Sequence, residues 1–338
     1  MAKIVVTGCA GFIGAATSLR LLEEGNEVKG IDNLNDYYSV KLKLARLQKL
    51  STFPNFVFEE TDICDRESIN MVFSRFNPSI VIHLAAQAGV RFALSNPYLY
   101  GDTNLVGFLN VIEKSRESNV SHFVYASSSS VYGLNKCVPF TEDQVTQHPI
   151  SLYAATKLAN ESIAHAYAYS FNLRCTGLRF FTVYGPWGRP DMAPMKFANS
   201  ILRNEPINLF NSGNHIRDFT YIDDIVDGVV GMAFSSREKD SEFNPMDPNP
   251  GLSPYPSRLF NIGGNSPVVV TDFLDLLESY LGHKTLRILL PQQIGDVAAT
   301  HASTSSIQEA IGWSPKTNLE TGLFIFADWA KSHPDLLS

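Results

Sequence analysis

Short apolar runs alternate with amphipathic stretches through the first half of the chain. The runs fall near residues 3–7, 28–32, 55–59, 80–84, 122–126 and 174–180. Each has strand length, and the stretches between them carry helical periodicity; Phe12, Ile13, Leu19, Leu21 and Leu22, for example, gather on one side of a helix. Strands alternating with helices predict an α/β fold built on a Rossmann-like, doubly wound parallel sheet. After Tyr184-Gly-Pro-Trp-Gly188 the pattern becomes ragged, and the chain is expected to leave the sheet for a smaller, largely C-terminal substrate lobe. Asp223–Ser235 reads as a helix returning to the sheet, and Arg258–Ile262 as a last strand. The sheet domain is therefore assigned residues 1–181 with about 222–235 and 257–263, and the lobe residues 182–221 and 264–338. Residues 236–257, rich in Pro, Asn and Ser, read as an exposed loop without chemistry.

Composition narrows the class of protein. A chain of 338 residues that is 44% hydrophobic buries a large core. A net charge of −7 without basic clusters argues against a nucleic-acid partner. No apolar run approaches membrane-spanning length, and Met1-Ala-Lys3 leads straight into the first strand, so neither a membrane segment nor a signal peptide is expected. The four cysteines, Cys9, Cys64, Cys137 and Cys175, lack C-x-x-C spacing and fit reduced thiols in the cytoplasm. The eight histidines form no ligand-spaced pair, so no metal is expected, and His83 reads as a packed, hydrogen-bonded histidine.

The chemistry begins at the first strand. Lys3–Thr7 runs directly into Gly8-Cys-Ala-Gly11-Phe-Ile-Gly14 and a helix. Strand, glycine turn and helix N-terminus present backbone N–H groups and a helix dipole to a pyrophosphate. The spacing G-x-x-G-x-x-G differs from the commoner G-x-G-x-x-G, but the next strand ends in Asp32, placed for the adenosine ribose hydroxyls. Asp32 would repel a 2′-phosphate and no arginine stands beside it in sequence, which favours NAD over NADP.

A second constellation lies further on. Tyr153-Ala-Ala-Thr-Lys157 on a helix puts a phenol and an ammonium one turn apart on one face. A phenol, with an ordinary pKa of about 10, is a poor base at neutral pH unless a nearby cation stabilises its phenolate. The serine run 127–130 supplies a hydroxyl to bond the same substrate oxygen. Together these suit removal of a proton from an alcohol while a hydride leaves its carbon, and a hydride needs the nicotinamide that the glycine loop predicts.

In this order and spacing the elements resemble an extended short-chain dehydrogenase/reductase along essentially the whole chain. Thr61-Asp62-Ile63 resembles the family's adenine-contacting turn, and His83-Leu-Ala85-Ala86 the segment lining the dinucleotide. The resemblance implies a cofactor site of Gly8, Gly11, Phe12, Ile13, Gly14, Asp32, Asn33, Asp62, Ile63, Ala85 and Ala86 with Tyr153 and Lys157. Tyr125-Ala-Ser-Ser-Ser-Ser-Val-Tyr-Gly133 resembles the strand carrying the catalytic hydroxyl and places that role on Ser128. Arg217–Asp224 and Gly295-Asp296-Val297 resemble nucleotide-sugar members, implying that Arg217 and Asp296 hold the UDP. Helices matching roughly 98–118 and 153–171 pair into a dimer interface in relatives, which implies a homodimer here.

Such members share oxidation at C4 and differ in the fate of the ketone. Dehydratases carry an Asp-Glu pair before the Val-Tyr-Gly, and UDP-glucuronate decarboxylases a glutamate there; this chain has Ser129 and Ser130. Without a second acid or base the ketone is expected to be re-reduced, so the resemblance implies a 4-epimerase. Trp187-Gly-Arg189-Pro-Asp-Met192, Asp32–Tyr38 with Lys41-Leu-Lys-Leu, and Gln87-Ala-Gly-Val-Arg91 resemble the UDP-glucuronate 4-epimerases, and Thr182 stands where UDP-glucose epimerases usually carry asparagine. The expected reaction is NAD-dependent conversion of UDP-glucuronate to UDP-galacturonate, with a place in polysaccharide biosynthesis. Arg189, or alternatively Arg91, would hold the sugar carboxylate, with Ser129, Ser130 and Thr182 adding hydrogen bonds. UDP-glucose or UDP-N-acetylhexosamine epimerisation, and UDP-glucuronate decarboxylation, are the alternatives.

Overall fold

The computed structural model describes residues 1–236, 243–293 and 295–338. Its strands in chain order are β1 Lys3–Thr7, β2 Glu27–Asp32, β3 Phe56–Glu60, β4 Ile80–His83, β5 His122–Ser128, β6 Cys175–Phe180, β7 Thr182–Tyr184, β8 Ile207–Phe210, β9 Ile216–Tyr221, β10 Ser257–Ile262, β11 Pro267–Val269 and β12 Arg287–Leu290. Seven of them form one sheet in the order β10-β6-β5-β4-β1-β2-β3, every neighbouring pair parallel. The order reverses between β1 and β4, and the crevice beyond the carboxyl ends of those two strands is where such sheets bind ligands.

Alternation along β1 shows how the double winding is built. Ile4 and Val6 pack with helices Phe12–Glu23 and Ile222–Ala233, while Val5 faces the opposite layer and packs with Phe108, Val111 and Ile112. A sheet covered on both faces needs strands apolar on both, and β4 and β6 are buried at every residue. The first-half strands thus lie within a residue or two of the apolar runs, and the α/β, Rossmann-like expectation is borne out.

The later chain adds two small sheets, β11-β9-β7 and β12-β8, with helices Ala193–Arg203, Val270–Leu281 and Leu319–Ser332. One expectation needs correction. The described part of the 236–257 loop is not wholly exposed: Ser253 is buried and bonded to His165 Nε2 at 3.1 Å, and Tyr255 meets Tyr169 edge-on at 4.7 Å. An aromatic ring and a hydroxyl found partners on helix Leu152–Phe171, which polar composition did not reveal. Residues 237–242 of that loop lie outside the described residues. Among the described residues, no helix is long and apolar enough to cross a membrane.

Two histidines of the sheet are neutral by construction. His122 Nδ1–H donates to the Ala233 carbonyl at 3.0 Å, and its Nε2 accepts from the Thr176 hydroxyl at 2.8 Å. Burial, aided by the Arg174 charge, pushes its pKa down to about 3, and burial with the Lys157 charge does the same to His83. Both folded-state values lie below the ordinary 6.5, so the stability held by the neutral rings is complete above pH 6.5 and is lost as pH falls from there toward 3. His122→Gln keeps a donor and an acceptor but cannot titrate. Urea unfolding at pH 7.5 and pH 5 should show a smaller acid loss for the variant, and an unchanged difference would count against this account.

Candidate functional site

The carboxyl ends of β1, β4 and β5 open onto one cavity, walled on the other side by residues that follow β6. At its floor, the turn after β1 demands glycine. Gly8 has a φ of +71°, and a Cβ there would sit 2.8 Å from the Ala85 nitrogen. A Cβ on Gly14 would lie 2.0 Å from the Gly8 carbonyl oxygen. The following helix is capped by Gly11, which has no side chain to bond the first-turn N–H groups. This cradle fits a pyrophosphate, which those N–H groups and the helix dipole would hold. Gly14→Ala should weaken NAD binding by about ten- to a hundredfold, from roughly 1–3 kcal/mol of overpacking against backbone; calorimetric titration with NAD reads this, and unchanged affinity would contradict the cradle.

Asp32 at the tip of β2 accepts from the Ala10 N–H at 3.2 Å and the Leu34 N–H at 2.9 Å, which orients its carboxylate. The cation that sequence proximity could not show is Lys43, whose Nζ stands 4.0 Å from Asp32 and donates to the Asn35 carbonyl at 2.7 Å. Gly8, Gly11, Phe12, Ile13, Gly14, Asp32, Asn33, Ile63, Ala85, Ala86, Tyr153 and Lys157 all line the cavity. Asp62 does not; it stands exposed next to lining residues Thr61 and Ile63, accepting from Asn33 Nδ2 at 2.9 Å and from the Cys64 N–H at 2.8 Å.

Helix Leu152–Phe171 begins at Ser151, whose hydroxyl caps the Ala154 N–H at 3.1 Å, and this start sets Tyr153 and Lys157 on the cavity. Lys157 Nζ donates to the Ala126 carbonyl at 2.8 Å and stands 6.0 Å from the centre of the Tyr153 ring. Burial pushes Lys157 down to about 8, partly offset by the charge of Glu161. Glu161 is itself clamped by Arg179 through two bonds of 2.9 Å and bonded by the Ser127 hydroxyl.

The balance at Tyr153 involves one group more than helical spacing indicated. Burial raises its pKa, and the groups pulling it back are the Arg189 charge and the Ser128 hydroxyl. Lys157 is fixed on the Ala126 carbonyl with its charge 6.0 Å from the ring centre, and Arg189, from the loop after β7, adds a second cation acting on the phenol.

That loop is firmly held. Trp187 adopts a φ of +64°, and its ring packs on Trp329 at 5.5 Å. The buried Arg46 guanidinium bonds the Trp187 carbonyl, the Gly188 carbonyl at 2.9 Å and the Ala10 carbonyl at 2.9 Å, which ties this loop to the glycine turn. Arg189 then enters the cavity with Ser128, Ser129, Ser130 and Thr182. Its guanidinium is engaged by Asp191, Nε to Oδ1 at 3.0 Å and Nη2 to Oδ2 at 2.6 Å, and Tyr37 bonds the same carboxylate at 3.0 Å. Asp32 is the one carboxylate among the described lining residues, so nothing beside the serines is equipped for a second acid–base step.

Arg91, Arg217 and Asp296 gather outside this cavity. Arg91 lies 3.8 Å from Asp296 and over the Phe210 ring at 5.3 Å, and is about half exposed, with a side-chain exposure of 52%. Arg217 donates to the Ile216 carbonyl at 2.9 Å, and burial lowers its pKa against the charge of Asp296. The cluster is next to the cavity rim, since a Cβ on Gly295 would come within 3.4 Å of the lining residue Val90. Geometry therefore separates the two arginines that spacing could not rank securely: Arg189 lines the tyrosine's cavity and Arg91 does not. Tyr37, Lys43 and Asp191 carry no expected role from sequence, although their segments were among the motifs that set this chain apart.

Residues 4–244 match the NAD dependent epimerase/dehydratase family. Protein CapI of Staphylococcus aureus is 44% identical over 327 residues, covering 97% of this chain and 98% of that protein. UDP-glucuronate 4-epimerase 1 of Arabidopsis thaliana is 46% identical over 337 residues, covering 98% of this chain and 77% of that protein. The crystal structure of UDP-glucuronic acid 4-epimerase from Bacillus cereus, in complex with UDP-glucuronic acid and NAD, superposes with a TM-score of 0.88 at 31% identity, covering 98% of this chain and 99% of that one.

Proposed function

The chain belongs to the NAD dependent epimerase/dehydratase family, and on that premise we propose that it interconverts UDP-glucuronate and UDP-galacturonate by oxidation and re-reduction at C4. The observation that carries this reading is Arg189 in the same cavity as Tyr153, Lys157 and Ser128, with only hydroxyls where a second acid or base would stand. Bound NAD supplies the acceptor, and then the donor, for the hydride of C4. Tyr153 takes the C4 hydroxyl proton and returns it, while Ser128 bonds the same oxygen. Lys157, anchored on Ala126, holds positive charge on the phenolate's side of the helix. Arg189, Ser129, Ser130 and Thr182 bind the carboxylate, and Arg217 and Asp296 anchor the UDP while the sugar turns its other face to the cofactor.

Residues 182–221 and 264–338 act in this reading as the sugar-nucleotide lobe on the dinucleotide domain. The working assembly is a homodimer, supported by Leu99, Val106, Leu109, Tyr169 and Phe171, which stand exposed along residues 97–117 and helix Leu152–Phe171. The cytoplasm, where the four free cysteines stay reduced, is the compartment that suits it, and uronate-containing polysaccharide is the class of product it would feed.

A substrate panel tests the reading. With NAD present, proton NMR should show UDP-glucuronate moving toward an equilibrium with UDP-galacturonate, at a kcat/KM well above that for UDP-glucose or UDP-N-acetylglucosamine. Preference for a neutral sugar would keep the C4 chemistry and overturn the substrate, and release of a UDP-pentose as main product would make the enzyme a decarboxylase.

A further inference from the structure

We propose that Asp191 and Tyr37 are positioning residues that set specificity for a carboxylated sugar, by locking one edge of the Arg189 guanidinium so that its other edge faces the substrate. The inference rests on the reading of Arg189 as the carboxylate's partner. A guanidinium offers two forks to carboxylates, Nε with Nη2 on its side and Nη1 with Nη2 at its end. Asp191 occupies the side fork through bonds of 3.0 and 2.6 Å. That leaves the end fork for a ligand, and the charge of Arg189 acts on Tyr153, the base at the reacting carbon.

Asp191 is held in turn. The Tyr37 hydroxyl donates to its Oδ2 at 3.0 Å, and the Tyr37 ring packs on Phe92 at 4.8 Å. Burial and the Asp191 charge raise the Tyr37 pKa, which keeps the phenol a donor at any working pH. Tyr37 belongs to the loop that follows Asp32 at the tip of β2 and also presents Asn33, so the orientation of Arg189 is set from the dinucleotide's side of the cavity.

Charge and geometry make opposite predictions for Asp191, which gives the proposal its test. As a mere charge, Asp191 repels a second carboxylate, and Asp191→Asn would tighten UDP-glucuronate binding. As a lock, its loss frees the guanidinium to turn from the cavity, and binding weakens. Kinetics and calorimetric titration of the NAD-loaded full chain with UDP-glucuronate and with UDP distinguish the two. We expect Asp191→Asn to raise the KM and Kd for UDP-glucuronate about tenfold or more, on the scale of charge-assisted hydrogen bonds, with UDP binding unchanged. Tyr37→Phe, which leaves both charges in place, should raise them about three- to tenfold, the scale of one hydrogen bond. If the wild type turns over UDP-glucuronate but either variant keeps or lowers that Kd, this inference is overturned and the proposed function stands. If UDP binding falls in parallel, the residues hold the fold rather than the arginine, and the inference is again overturned. A wild type silent on UDP-glucuronate removes the function and this inference together.

Discussion

Tyr153→Phe loses about 10²- to 10⁴-fold in kcat, the span that a positioned proton-transfer group supplies. The structure explains why no neighbour replaces the lost phenol. Ser128 is a hydroxyl without a base of its own, bonded to Ser130 Oγ at 3.1 Å, and Lys157 is committed to the Ala126 carbonyl. The histidine at the end of β4, His83, is buried and bonded through Nδ1 to the Thr7 hydroxyl at 2.9 Å, and its pKa of about 3 leaves it neutral. UDP-sugar binding should hold within a few fold, because the ring stays and the proposed UDP anchors lie elsewhere. Single-turnover assays beside titration with UDP-glucuronate separate the two effects. Comparable turnover in the variant would remove Tyr153 from the mechanism.

Arg189→Ala should raise the KM for UDP-glucuronate by about ten- to a hundredfold, the scale of hydrogen bonds to charged groups. It should also raise the fraction of turnovers that end in UDP-pentose. Oxidation at C4 makes a β-keto acid, which loses carbon dioxide when its C5–carboxyl bond aligns with the carbonyl π system. An arginine bonded to the ionised carboxylate holds that bond out of alignment and disfavours a neutral product. The variant also leaves Asp191 facing an incoming carboxylate with no cation between them, so repulsion adds to the lost bonds. Mass analysis after long incubation measures the leakage, and no change in either quantity would return Arg189 to a structural role.

The sheet was legible because its strands are buried on both faces and read as continuous apolar runs, as β4 and β6 do. The small sheets were not. β7 and β11 are three residues each and only partly buried, too short to leave a pattern. The cofactor cradle was readable for steric reasons, since few residue types tolerate the Gly8 and Gly14 positions. Arg189 was readable as a motif, but its engagement with Asp191 and Tyr37 was not. That contact joins two loops 154 residues apart and depends on Arg46 stitching the Trp187–Gly188 backbone to the glycine turn. The same closure explains why the second cation at Tyr153 was not legible: helical spacing pointed to Lys157, and only the folded loop brings Arg189 to bear as well. Spacing likewise could not separate Arg91 from Arg189, which the fold sends to different sides of the cavity rim.

The most direct test of the central claim follows UDP-glucuronate carrying deuterium at C4, incubated with the protein and NAD in ordinary water and read by NMR and mass spectrometry. The account predicts UDP-galacturonate with the deuterium still at C4, because the atom removed from that carbon comes back to it on the other face. Product whose C4 deuterium has washed out to solvent, or no UDP-galacturonate at all, would contradict it.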